Sequence, residues 1–186
     1  MITVVAAGLP GAEGPVVRSD GSVVVCGGDS VWAVGPTGDR HRLARTGGDP
    51  NGLAATADGT ILVANNGGVC RPDKVPGSVQ RISSDGEVTD LLTGLDAPND
   101  IVVDADGGIW FTDSVDCWYN TEHHPGHVYQ LTADGLRRRH TDLRFPNGIA
   151  IDPSGAPVVT ESRTGHIVRL AEGRATRWAT TSRGAP

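Results

Sequence analysis

Glu13, Asn51, Asn99 and Asn147 stand at intervals of 38, 48 and 48 residues, and each opens the same local pattern. A turn presents one polar side chain, an apolar run follows, and a second turn closes the unit. Glu13-Gly14-Pro15 leads to Ser19-Asp20-Gly21, and Asn51-Gly52-Leu53 to Ala57-Asp58-Gly59. Asn99-Asp100-Ile101 leads to Ala105-Asp106-Gly107, and Asn147-Gly148-Ile149 to Pro153-Ser154-Gly155. One carboxylate and three amides thus recur at one position per repeat. Carboxylate and amide oxygens suit Ca²⁺ or another hard cation. Asn-Gly is also an ordinary turn dipeptide, so a single instance says little. Repetition at an equivalent position points instead to a shared site, built as a circular fold builds one.

A period of this length marks a repeat architecture. The third unit is the clearest. Asp100 to Asp104 is a β-branched run, Asp106-Gly107 turns, and Gly108 to Asp113 (GIWFTD) is a second strand. After a long loop, Gly126 to Thr132 (GHVYQLT) alternates as a third strand, and Leu136 to Leu143 is a polar fourth. Four antiparallel strands joined by hairpins make one propeller blade. The sequence therefore predicts an all-β fold, a β-propeller domain over 1–186 with units near 13–50, 51–98, 99–146 and 147–186. No helix is expected. In such a blade the first strand is innermost and the Asp-Gly turns share one face. The four polar positions and the long loops Ala64–Gly77 and Asp113–Gly126 then share the opposite face, as around a covered pocket. Thr3 to Ala7 reads as an outer strand.

Composition agrees. The 186 residues suffice for one domain with a core, and 26 Gly and 12 Pro punctuate short Val/Ile-rich runs. The net charge is -6, and Arg137-Arg138-Arg139 is the only basic run, so no nucleic-acid surface is expected and the run reads as decoration of an outer strand. No stretch has the ~20 apolar residues of a membrane span. Cys26, Cys70 and Cys117 are odd in number and form no C-x-x-C pair, which argues against a disulfide framework and for a reducing compartment. With no basic n-region before Ile2-Thr3-Val4-Val5, the expectation is a cytoplasmic protein.

Other candidates carry bland alternatives. His123, His124 and His127 have ligand-like spacing but read as solvated loop histidines or as part of a pocket mouth. Cys117, Trp118 and Tyr119 could wall a pocket or anchor their loop. Cys26 reads as packing, and Glu161, which ends a second strand as Asp113 does, reads as a surface carboxylate. No G-x-S-x-G elbow or phosphate-binding loop is present.

The chain resembles the gluconolactonase/regucalcin (SMP-30) and luciferin-regenerating-enzyme-like family. The matching stretches are A-E-G-P-V-V (12–17), G-G-D-P-N-G-L-A (47–54), A-P-N-D-I-V-V-D-A-D-G-G-I-W-F-T-D (97–113) and F-P-N-G-I-A-I-D-P-S-G (145–155). The resemblance implies a six-bladed propeller that hydrolyses lactones with a divalent metal in its central channel, Ca²⁺ foremost and Zn²⁺ or Mg²⁺ as alternatives. It implies Glu13 and Asn147 as metal ligands, with Asn99, Asn51 and Asp113 at the substrate. The family's remaining ligand, an Asp also proposed as general base, falls beyond Pro186, where a fifth unit would start. The catalytic base is therefore unassigned, and the expectation is a propeller truncated after about four of six blades. Glu13 with Asn147 supplies one negative charge, which implies weak metal binding. The function so implied is a metal-dependent hydrolase opening a small, sugar-like lactone or related ester. The alternatives are a non-catalytic propeller binding a small ligand or a protein, and an inactive truncated lactonase.

Overall fold

A computed structural model describes residues 3–122, 124–171 and 173–181. Their regular structure is entirely strand, in four antiparallel sheets of four strands, each sheet being a propeller blade. The first blade is β1 (Glu13–Val17), β2 (Val23–Gly27), β3 (Ser30–Val34) and β4 (Arg40–Arg45). The second is β5 (Pro50–Ala55), β6 (Ile61–Asn65), β7 (Gly77–Ile82) and β8 (Val88–Leu95). The third is β9 (Pro98–Val103), β10 (Ile109–Asp113), β11 (Gly126–Thr132) and β12 (Gly135–Leu143). The fourth is β13 (Pro146–Ile151), β14 (Pro157–Glu161), β15 (His166–Ala171) and β16 (Arg174–Thr180). Strands pair in chain order within each blade.

The hairpin between the first two strands is the same in all four blades. In the third, Asp104 N–H donates to Gly108 O at 2.9 Å and Gly107 N–H to Asp104 O at 3.1 Å. This is a three-residue loop in which the last residue takes positive φ; Gly107 has φ 83°. Gly21, Gly59 and Gly155 hold the same place, with φ of 81°, 84° and 85°. A Cβ there would be disfavoured, which is why each loop ends in Gly.

The chain forms two compact units, Met1–Leu95 and Asp96–Pro186. In the first, β1 and β2 pack on β5, and Val24, Cys26, Val31, Leu53, Ile61, Val63 and Ile82 form the core between the two sheets. In the second, β9 and β10 pack on β13, and Trp110, Val128, Leu143, Ile149, Val159 and Leu170 form the core. The alternation of the central strands explains this: one face of each carries the apolar set to the neighbouring blade of its unit.

Two sequence expectations are corrected. Thr3–Ala7 is not a strand, because a strand exists only where a partner takes up its N–H and C=O groups, and none of the four sheets takes this segment. Cys70 and Cys117 are each disulfide-bonded, whereas Cys26 is a fully buried core residue. Disulfides follow from where loops lie in space, not from an even count or a C-x-x-C spacing, so the reducing-compartment argument loses its basis. Among the described residues no helix is long and apolar enough to cross a membrane. The expected end of the fourth unit, 182–186, lies outside the described residues.

Ile61 is 1% exposed and central to the first core. Ile61→Ala is expected to cost about 2–5 kcal/mol in chemical denaturation. Val17→Ala, at a residue 71% exposed, is expected to stay within about 0.5 kcal/mol. Equal losses at the two positions would contradict this packing.

Candidate active site

The repeated polar residue sits in a β-bulge in the second, third and fourth blades. In β5, Pro50 pairs with Asn65 and Leu53 with Val63, so Asn51 and Gly52 together face the single residue Ala64. In β9, Asn99 and Asp100 face Thr112; in β13, Asn147 and Gly148 face Thr160. In β1 the bulge lies one residue later: Glu13 pairs with Cys26, and Gly14 and Pro15 face Val25. A bulge adds one residue and turns its side chain out of the ladder's alternation. It is the local reason these side chains escape the packed faces.

Glu13 and Asn51 belong to the first unit, Asn99, Asp113 and Asn147 to the second. Glu13 is exposed, Asn51 and Asn147 are half-buried, and Asn99 is buried at 8% exposure. Among the described residues, the side chains of Glu13, Asn51 and Asn147 make no hydrogen bond, and Asn99 Oδ1 is a buried acceptor with no donor. A buried oxygen without a donor costs free energy, and native structures hold few of them. Such an atom at the bulge of β9 is what a cation or a substrate hydroxyl would satisfy.

The ends of the second strands behave in the opposite way. Asp113 is 1% exposed, and its carboxylate accepts backbone N–H groups from Ala97 at 2.8 Å, Val115 at 3.0 Å and Asp96 at 3.3 Å. Burial raises its pKa above the ordinary carboxylate value; the N–H donors from Ala97 and Val115 oppose that, and the nearby Asp96 adds to it. Asn65, the equivalent residue of β6, accepts from Asp49 N–H at 2.9 Å and Gly67 N–H at 3.0 Å, and donates to Gly47 O at 2.9 Å. Glu161 accepts from Arg144 N–H at 2.8 Å and Thr164 Oγ1 at 2.9 Å. Glu161 is thus a buried junction residue and not the surface carboxylate expected. These three side chains reach back to hold the backbone that leads into the first strand of their own blade, and so position the bulges.

Thr112 and Asp100 complete the support in the second unit. Thr112 Oγ1 donates to Asn147 O at 2.7 Å and accepts from Asp100 N–H at 3.0 Å. Asp100 Oδ2 accepts from Ile149 N–H at 2.8 Å. The backbone on both sides of the Asn147 bulge is therefore tied to the third blade. Burial raises the Asp100 pKa, against the hydrogen bonds from Ile149 and Ile101. In the first unit Gly14 serves differently: a Cβ on it would stand 2.3 Å from Asn51 O, so only Gly lets β1 approach β5 there.

His124 and His127 have separate surroundings. His123 lies outside the described residues. His124 Nδ1 is 2.6 Å from Asp116 Oδ2, and Asp116 also accepts from Asn120 Nδ2 at 2.6 Å and Cys117 N–H at 2.7 Å. Asp116, which the sequence did not single out, therefore organises the long loop. His127 lies in β11 because the strand begins at Gly126, and burial lowers its pKa, with Arg138 adding to the effect. Cys117 is buried, whereas Trp118 and Tyr119 are 70% and 60% exposed, which favours loop anchoring over a wall by all three.

The model of the family described as "SMP-30/Gluconolactonase/LRE-like region" matches residues 11–180. A gluconolactonase from Xanthomonas campestris, important in glucose secondary metabolic pathways, superposes with a TM-score of 0.74 at 26% identity. The match covers 94% of this chain and 64% of that one, so the present chain spans under two thirds of its length. The calcium-binding protein regucalcin from Agrobacterium tumefaciens gives 0.73 at 16% identity, over 96% of this chain and 63% of that one. Virginiamycin B lyase from Staphylococcus aureus gives 0.67 at 20% identity, over 93% and 57%. The last two likenesses concern the fold alone. No curated protein matches the chain.

The contrast between engaged and unengaged acceptors is testable. Asp113→Ala strands buried N–H groups and is expected to cost at least about 2 kcal/mol, whereas Asn99→Ala removes an unpaired buried oxygen and is expected to be neutral or stabilising. Thermal unfolding of the two variants side by side decides it.

Asp100 gives a pH signature. Burial holds its folded pKa above the ordinary carboxylate value, so its folded state binds the proton more tightly than the unfolded chain does. The stability it contributes is present below that value and falls as pH rises toward the raised one. Asp100→Asn should therefore gain on wild type as pH rises from about 3 to 6. A constant difference over that range would refute the assignment.

Proposed function

The chain belongs to the SMP-30/Gluconolactonase/LRE-like family, and on that footing we propose that it is a metal-dependent hydrolase opening a small, sugar-like lactone or related ester. The observation that carries the reading is the set of unengaged oxygen acceptors at the repeated bulge, above all the buried Asn99 Oδ1. The donor chemistry fits a hard divalent cation, with one carboxylate and amide oxygens and neither sulfur nor imidazole among them. Glu13 and Asn147 are the residues that would hold the ion, Ca²⁺ before Mg²⁺ or Zn²⁺. When bound, such an ion polarises a lactone carbonyl and lowers the pKa of a coordinated water.

The chain's own residues supply position. Asn147 is held by the Thr112 hydroxyl on its carbonyl and by Asp100 on the N–H of Ile149. Asn99 follows Ala97 and Pro98 directly, and Ala97 is pinned by Asp113. Its amide can accept from a substrate hydroxyl and so orient the ring to be opened. Asn51 has the equivalent place in the second blade. Asp113 acts one step removed, through the backbone it holds, because its carboxylate is already engaged. No described residue is assigned as the general base.

A second reading, a non-catalytic propeller binding a small ligand, is favoured by one observation. Among the described residues, no group of three His, Cys, Asp or Glu side chains is placed to hold a metal. Calorimetry and a lactone assay separate the two. Ca²⁺ is expected to bind the chain weakly, with Kd at or above about 10⁻⁴ M, because one carboxylate carries the only ligand charge. Lactone opening, followed by proton release, is expected to fall at least about tenfold with EDTA, in Glu13→Gln and in Asn147→Ala. Activity indifferent to all three removes the metal mechanism, and binding of a lactone without turnover supports the second reading.

A further inference from the structure

The long loop between β10 and β11 holds a pair that the proposed site leaves unused, the Asp116 carboxylate and the His124 imidazole, with Nδ1 2.6 Å from Oδ2. The loop leaves β10 through Ser114, which is buried. Ser114 N–H donates to Ala97 O at 3.0 Å, and its hydroxyl donates to Pro146 O at 2.8 Å. Ala97 and Pro146 stand just before Asn99 and Asn147. One residue therefore ties the root of this loop to the approaches of both bulge asparagines of the second unit. Beside it is a crevice of about 10 Å³, lined by Ser114, Asp116, Glu122, His124, Phe145 and Arg163. That is about the room one water needs, and the lining offers the polar partners a water requires.

The imidazole is oriented as well as placed. With Nδ1–H donating to Asp116, the lone pair is left on Nε2, which is the form a general base needs. Burial opposes ionisation of Asp116, but the hydrogen bonds from His124, Cys117 N–H and Asn120 outweigh it and hold its pKa below the ordinary carboxylate value. An ionised carboxylate only accepts, so it fixes this tautomer. Glu122 Oε2 stands 3.9 Å from Nε2, too far to occupy it. Arg163 donates to Asn120 O and lies 5.6 Å from the centroid of the Phe145 ring, which fastens the loop to the segment before Asn147.

Backbone strain gathers at the same place. Val115, between Ser114 and Asp116, has φ 69°, and Phe145, just before Pro146, has φ 58°. Branched and bulky side chains avoid positive φ. Val115 is held there by its N–H on Asp113 Oδ1 at 3.0 Å, and Phe145 by Ser162 N–H on its carbonyl at 3.0 Å. Strain of this kind persists where the surroundings over-determine it, and it clusters at functional sites.

We infer that His124, oriented by Asp116, is the general base of lactone opening. This rests on the lactonase function proposed above and supplies the base left unassigned there. Nε2 takes a proton from a water as the water oxygen bonds to the lactone carbonyl carbon. The ring C–O bond of the tetrahedral adduct then breaks, and the imidazolium returns that proton to the departing ring oxygen. The product is a hydroxy acid, and the imidazole is neutral again. Asp116 is a positioning residue: it keeps the tautomer and stabilises the imidazolium.

The test is opening of glucono-δ-lactone by the full chain, followed by proton release. His124→Gln keeps an N–H for Asp116 but carries no base. It is expected to retain the wild-type thermal transition and to lose at least about a hundredfold in kcat with little change in KM. His124→Ala should lose as much, and imidazole in solution should restore part of the loss, beyond its effect on free lactone. Asp116→Asn should also lose kcat, without restoration by imidazole. His41→Ala, at an exposed residue of β4, should match wild type. An active wild type whose His124→Gln variant keeps its kcat, or a His124→Ala variant that imidazole does not restore, overturns the assignment and leaves the lactonase function standing. A wild type that opens no lactone overturns both.

Discussion

A buried acceptor at the end of the second strand, reaching back to the backbone that enters the first, is the interaction on which the rest of this structure depends. Asn65, Asp113 and Glu161 occupy this place in three successive blades and take N–H groups from Asp49, Ala97 and Arg144. A backbone bond accompanies each side chain: Asn66 N–H to Asp49 O, Ser114 N–H to Ala97 O and Ser162 N–H to Phe145 O, at 3.1, 3.0 and 3.0 Å. The junction segment has no ladder of its own, so without these partners its N–H groups would be buried and unpaired. Fixing it fixes where each first strand starts, and hence which residue falls into the bulge.

Two kinds of polar residue result, and they divide the work. Junction residues are buried and engaged on several sides, as polar groups in an interior must be. The bulge asparagines Asn51, Asn99 and Asn147 are left with unengaged oxygens, whereas Asp100, beside Asn99, is engaged by the Ile101 and Ile149 N–H groups. The buried Asn99 Oδ1 is the extreme case, since folding tolerates it at a cost that only a bound partner would offset. Asp113 nearby accepts three backbone N–H groups, whereas Asn99 Oδ1 accepts none.

The same division bears on Asp113, whose backbone partners are not legible in the sequence. It ends the F-T-D motif beside the candidate site, and its spacing from Asn99 is compatible with either role. The choice depends on which side of β10 it faces and on what lies there, and those are fixed by the bulge opposite it. The long loop after β10 was equally opaque. Its histidines stood out in the sequence, but the organising group is Asp116, a residue with no motif around it. Asp100 and Thr112 were also unmarked, although they tie the third blade to the backbone flanking Asn147.

The repeat, the strands and the turn chemistry are local, and the sequence alone determined them. Alternation sets the packed face of each strand, Asp-Gly sets the hairpins through positive φ, and the period sets the recurrence of Glu13, Asn51, Asn99 and Asn147. The tertiary structure alone decided which oxygens are already engaged, which cysteines are disulfide-bonded, and that Thr3–Ala7 has no strand to join. The physical reason is range. A hairpin is settled within a few residues, whereas the donors that meet Asp113 at Asp96 and Ala97 come from the far end of the first strand, and their arrival depends on a bulge that shifts the register by one residue.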